Sequence, residues 1–250
     1  MTSIHTEFIN IMDHIEKLTC QSYVTKTIGK PPVPVFFVRV LHLMLRSLGV
    51  SEKRIHVFCV STTLLQMGLV THDRVSLAEQ LSPEEMRERQ LMVLSGDYYS
   101  SLFYHLLSKH QEIEGIHCLA KATSLINEIK MTHRAEQCKG KPLDLQALKR
   151  IQSISSGLLT ALADFFHVGQ ESENNWKKII PGLMLFDELR HCSDSFNPGD
   201  TSSSEWIRET WAEMGHALMN IEQQDIKRKL SEMLNTQFLW LSELSLVKES

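Results

Sequence analysis

An all-α fold is predicted by three observations. Apolar residues recur at helical spacing along nearly the whole chain, and no stretch of useful length alternates with the period of two that a half-buried strand needs. Helix-breaking residues fall between the periodic runs. No internal repeat is visible. About eight to ten helices of ordinary length fill the chain, and a single domain spanning residues 1–250 is the simplest count.

Residues 1–28 carry Ile4, Phe8, Ile11, Ile15 and Leu18 at amphipathic spacing, so a helix with one buried face is expected. Gly29-Lys30-Pro31-Pro32-Val33-Pro34 ends it, because proline removes an amide donor and clashes with the preceding turn. Residues 35–48 resume as a dense apolar helix closed by Gly49 as a C-terminal cap. The next helix opens at Ser51 as cap, with Glu52 in its first turn. Ile55, Phe58, Leu65 and Leu69 on one side and Val57, Val60, Leu64 and Met67 on another make it apolar over most of its circumference. Such a helix belongs in the middle of a helical assembly. Thr71, His72, Asp73 and Arg74 then gather polar side chains in a turn that is either a solvated helix end or a site.

A second long helix starts at Ser82, Pro83, Glu84 and Glu85, which supply a cap, proline at the first position and acids in the first turn. Met86, Val93, Leu94, Tyr98, Leu102 and Leu106 keep a helical period, and Ser95, Gly96, Ser100 and Ser101 are small enough to admit a neighbouring helix. Asp97 is either buried with a partner or on the edge of the apolar face. Tyr98, Tyr99, Phe103 and Tyr104 form the most aromatic patch in the chain, a composition shared by cores and protein interfaces. Residues 113–134 give another amphipathic helix, and residues 139–142 another break. The helix at 145–168 is rich in Ser155, Ser156, Gly157, Ala161 and Ala163, which permit tight packing. Residues 176–190 form a shorter helix ending in the acids Asp187 and Glu188. A loop is expected at 197–204, and helical periodicity then runs from Trp206 to Phe238 through a charged stretch at 225–229.

Composition narrows function. With 42% hydrophobic and 22% charged residues and a net charge of -4, the chain has the balance of a soluble globular protein and lacks the basic stripe of a nucleic-acid binder. No apolar run reaches the roughly 18 residues of a transmembrane segment. Glu7, Asp13 and Glu16 stand where a signal peptide would be apolar, so a cytoplasmic location is expected. Five widely spaced cysteines without a C-x-x-C predict neither a disulfide framework nor a zinc knuckle. The histidines show no metal-ligand spacing beyond Glu188 and His191.

The order of these features resembles the trans-isoprenyl diphosphate synthases, and among them the small subunit (component 1) of bacterial heptaprenyl diphosphate synthase. Residues 29–34, GKPPVP, stand where catalytic members have G-K-R-L-R-P, and residues 69–76 stand where they have L-x-H-D-D-x-x-D. Residues 94–99 resemble L-A-G-D-Y-L, and residues 182–191, GLMLFDELRH, fall at the second aspartate-rich motif. The departures share a direction. Asp73 alone survives of the first metal motif, with Arg74 beside it and Leu77 at the last position. Asp187 and Glu188 keep two acids of the second, followed by Arg190 and His191. Magnesium takes oxygen ligands, so arginine in its shell is repulsive. The arginines of the basic loop have become Pro31 and Val33, which removes forked donors for diphosphate.

The resemblance therefore implies a subunit without catalytic or metal residues of its own, retaining Asp73, Asp187 and Glu188 as remnants and binding no cofactor. It implies a heterodimer with a large catalytic subunit that holds magnesium and most of the prenyl diphosphate, extending farnesyl diphosphate with isopentenyl diphosphate to the heptaprenyl chain of menaquinone. Tyr98, Tyr99, Leu102, Phe103 and Leu106 are the candidate contacts. Three other readings stay open: a self-sufficient prenyl or terpene synthase with relaxed metal motifs, an HD-type metal phosphohydrolase using His72 and Asp73 with His42 or His56 and Asp97, and a helical adaptor for another partner.

Overall fold

The computed structural model describes residues 3–20, 26, 29, 32–75, 78, 80–137, 144–168, 174–191 and 201–238. Among them run nine helices: α1 (Ile4–Thr19), α2 (Val35–Ser47), α3 (Glu52–Asp73), α4 (Pro83–Lys109), α5 (Ile113–Gln137), α6 (Leu145–His167), α7 (Trp176–His191), α8 (Thr201–Met219) and α9 (Gln224–Gln237). No strand occurs among the described residues. The helices group into two compact units. One takes α1, α2 as far as His42, α3, α4 and the start of α5 to His117, and the other takes Leu43–Leu48 and the chain from Cys118 onward.

In the first unit α3 is the central element. Ile55, Phe58, Cys59, Val60, Leu64, Leu65, Met67 and Leu69 are all buried, along with Ser61, Thr62 and Thr63. Thr63 and Thr71 return their hydroxyls to the carbonyls of Cys59 and Met67 one turn back, so these polar groups are bonded inside an apolar setting. By length and composition α3 could cross a bilayer, yet 78% of that apolar window is buried within the fold. α1 lays Ile11 and Ile15, both fully buried, into the unit, and Ser3 caps its start by accepting from the Thr6 amide. α4 opens at the expected cap, which closes into a capping box: Ser82 accepts from the Glu85 amide while the Glu85 carboxylate accepts from the Ser82 amide. Its approach to α3 is possible because glycines meet. A β-carbon on Gly68 would lie 2.6 Å from Ser100 Oγ and 3.0 Å from the Gly96 carbonyl oxygen. Beyond α4, the turn through Gln111 (φ 59) brings Glu112 to Arg54, which donates from Nε and Nη2 at 2.6 and 2.7 Å.

The second unit is built on α6 and α7. Ser155, Ser156 and Ala163 are buried as their size suggests, and a β-carbon on Gly157 would lie 2.8 Å from Ile126 of α5. α7 runs through Pro181 without ending. Gly182 lets α8 in, since a β-carbon there would sit 2.8 Å from Met214 Sδ. Phe186, Trp211 and Phe238 tie α7, α8 and the end of α9 together through edge-on ring contacts with centroids 5.3 to 6.5 Å apart.

Several expected boundaries shift. The first helix ends at Thr19 instead of reaching 28. Thr201–Ser204, expected as loop, are the first turn of α8, with Ser203 fully buried. Serine and threonine are favoured at helix starts for the same local hydrogen bonding that favours them in turns, so composition could not separate the two. The run from Trp206 to Phe238 is two helices with Asn220–Gln223 between them. Lys30, Pro31, Ser76, Leu77, residues 139–142 and residues 197–200 lie outside the described residues.

Candidate functional site

The two segments that the resemblance sets against metal motifs occupy the C-terminal ends of α3 and α7, each within its own unit. At α3, Arg74 is the cap residue, its amide reaching the carbonyls of Thr71 and His72, and Asp73 and Arg74 are both exposed. The nearest acid across the helix pair is Asp97 of α4, whose Oδ1 stands 3.4 Å from His72 Nε2 with 66% of its side chain exposed. Asp97 is thus on the boundary of the apolar face. The His72 ring lies over Gly96, where a β-carbon would come within 2.6 Å of it.

At α7 the geometry is more decisive. Arg190 Nη2 donates to Asp187 Oδ1 at 2.9 Å, one turn apart on the same helix. Burial pushes the Asp187 carboxyl above the usual aspartate range, and the positive charges of Arg190 and His191 pull it part of the way back. Glu188 points outward and is exposed. Replacing Arg190 with Met is expected to move Asp187's titration further up, observable by carboxyl NMR, because the burial stays while its largest counterweight goes. An unchanged titration would mean that Arg190 does not hold the acid.

These donor sets do not fit magnesium. A hard cation wants several carboxylate or phosphate oxygens. Position 74 offers a guanidinium, and Asp187 already has one. Among the described residues no three His, Cys, Asp or Glu side chains are placed to share a metal ion. The HD reading also finds its further ligands committed elsewhere: His42 Nε2 is 2.7 Å from Glu7 Oε2 and His56 Nε2 is 2.8 Å from His14 Nδ1. Near the start of α7, Lys177 pairs with Asp164 at 3.1 Å.

The candidate partner contacts divide into two sets. Tyr99 and Phe103 are each 1% exposed, and burial raises the Tyr99 phenol above its usual range. They belong to the buried row Ser95, Gly96, Tyr99, Phe103, Leu107, so their assignment as direct partner contacts is corrected. Tyr98, Leu102 and Leu106 form the neighbouring half-buried row, and the Tyr98 hydroxyl reaches the Leu18 carbonyl of α1 at 3.4 Å. That row continues to residues that the contact set did not include: Leu94 is 62% exposed and Met86 45%, with Val93 beside them at 39%. The spacing of four between Leu94 and Tyr98 was the available signal.

An all-helical bundle of this kind, with a central apolar helix in its first unit, is the isoprenoid-synthase fold. Solved structures agree on the fold. A decaprenyl diphosphate synthase from Rhodobacter capsulatus superposes with a TM-score of 0.71 over 98% of both chains at 10% identity. A geranyltranstransferase from Thermotoga maritima gives 0.67 over 93% of this chain and 99% of that one at 13% identity. At such identities the likeness is one of fold. Residues 21–238 match the family described as heptaprenyl diphosphate synthase (HEPPP synthase) subunit 1, and the chain belongs to that family. Heptaprenyl diphosphate synthase component 1 of Geobacillus stearothermophilus is 36% identical over 129 residues, covering 52% of this chain and 56% of that protein, so the alignment spans about half of the relative.

Proposed function

We propose that this chain is the non-catalytic subunit of a heterodimeric trans-polyprenyl diphosphate synthase, in one prenyl-synthase-like domain and a cytoplasmic setting. The observation that carries the reading is the state of the two acid motifs: Arg74 follows the lone Asp73, and Arg190 occupies Asp187. A site so furnished repels the cations that would neutralise a diphosphate. The catalytic partner then supplies the magnesium sites and holds the prenyl diphosphate, elongating farnesyl diphosphate with isopentenyl diphosphate to the heptaprenyl side chain of menaquinone.

This chain contributes a scaffold and a docking face. The face is the outer side of α4, from Met86 through Leu94 to Tyr98, Leu102 and Leu106, with Tyr99 and Phe103 fixing its shape from inside. An apolar row of this kind, partly in water, gains free energy on being covered, at about 25 cal/mol for each Å² of apolar surface. The same accounting favours a partner that needs walls of apolar surface around a growing isoprenoid.

The test is reconstitution. Purified alone, with magnesium and both diphosphates, the chain is expected to give no polyprenyl product, and addition of the catalytic subunit is expected to give long-chain product. Turnover by the isolated chain would overturn the reading in favour of a self-sufficient synthase.

A further inference from the structure

Histidine side chains bond α1 to both α2 and α3. Near the start of α1, Glu7 Oε2 meets His42 Nε2 of α2 at 2.7 Å in a buried contact, with Phe8 and Arg39 stacked alongside. A helical span further on, His14 Nδ1 meets His56 Nε2 of α3 at 2.8 Å, the two rings near parallel with centroids 5.1 Å apart. Two imidazole nitrogens at that distance hold together through one shared proton, with one ring donating and the other accepting. Loading the second nitrogen as well leaves two donors facing each other and no acceptor between them.

We propose that the His14–His56 pair is a proton-operated clasp, holding α1 on α3 at neutral pH and loosening it in mild acid. The proposal is independent of the subunit role. The charges around the pair favour release. Lys17 on α1 and His110 at the end of α4 disfavour added protons, and Glu7 works in the opposite sense on His56. His42 and Arg39 of α2 face Glu7 and Phe8. Burial is the largest influence on both rings and holds both below the ordinary histidine value. A docked form with lowered histidine pKa binds fewer protons than the released form. Its stability is therefore fully present above the ordinary value of about 6.5 and is lost as pH falls through it toward the docked value. Release would uncover Ile11 and Ile15, the fully buried residues of α1's inner face, and would remove the Leu18 carbonyl from Tyr98.

Hydrogen exchange on the full chain tests this. After correction for intrinsic exchange, protection of the α1 amides is expected to fall by up to roughly tenfold per pH unit between about pH 7 and pH 5.5, while the interior of α3 changes far less. His14→Asn with His56→Gln places an amide near each bonded nitrogen and removes the titration. In that double variant α1 is expected to stay protected with a flat pH profile. The same pH-dependent loss in the variant overturns the clasp, as does α1 protection that disappears on adding a chelator at neutral pH, which would make the pair a metal site. If the double variant does not hold α1 at either pH, histidine ring NMR of the unsubstituted protein decides: coupled titration below the ordinary value supports the clasp, and two independent titrations at that value refute it.

Discussion

Phe103→Ala is expected to lower the stability of this chain by about 3–5 kcal/mol, the cost of deleting a buried aromatic side chain and leaving a cavity. In a chain of this size each kcal/mol moves the melting temperature by about 2–4 °C. The expected loss follows from position: Phe103 is 1% exposed, stands one helical turn from the equally buried Tyr99, and rests in the row that faces α3. Leu94→Asp, on the outward row of the same helix and 62% exposed, is expected to leave melting within about 0.5 kcal/mol of the parent. Its effect should instead appear in assembly, as a loss of about tenfold or more in affinity for the catalytic subunit if Leu94 sits in the desolvated middle of the interface. Thermal melts and a titration against the partner separate the two. If Phe103→Ala melted normally, the burial of the inner row would be wrong. If Leu94→Asp bound and reconstituted activity unchanged, α4 would not be the docking face.

That contrast also marks what the sequence could and could not reveal. The existence of α4, its cap at Ser82 with acids in the first turn, and the closeness allowed by Ser95, Gly96 and Ser100 were all legible, because caps and small residues act through local geometry. Which apolar row faces inward was not. Rows 94, 98, 102, 106 and 95, 99, 103, 107 are adjacent and both satisfy a helical period, and only the placement of α3 decides between them. The central position of α3 was readable from its lack of a polar side, whereas the absence of acids at 74 and 77 carried meaning only through the resemblance of residues 69–76 to an aspartate-rich motif. The Asp187–Arg190 bond was within reach too, since residues three apart share a helix face. The Glu7–His42 and His14–His56 bonds were out of reach, joining residues 35 and 42 positions apart through tertiary packing.

Gly68→Leu is expected to destabilise the chain by about 3 kcal/mol or more, at or beyond the upper end of the usual cost of overpacking a core. The obstacle at Gly68 is partly backbone. Its absent β-carbon would stand 3.0 Å from the Gly96 carbonyl oxygen, on a helix that can yield only by moving as a whole, and 2.6 Å from the hydroxyl of Ser100. Pushing α4 outward would loosen the packing around its buried row of Tyr99, Phe103 and Leu107, so the penalty spreads beyond the substituted residue. Gly215, in α8, is the control. A β-carbon there meets nothing within 4 Å, so Gly215→Ala should stabilise its helix by up to about 1 kcal/mol through propensity alone. Opposite signs for two glycines, each inside a helix, cannot come from propensity, which treats them alike. They require the close crossing of α3 and α4 at Gly68, and equal melting shifts for the two variants would mean that the helices do not touch there.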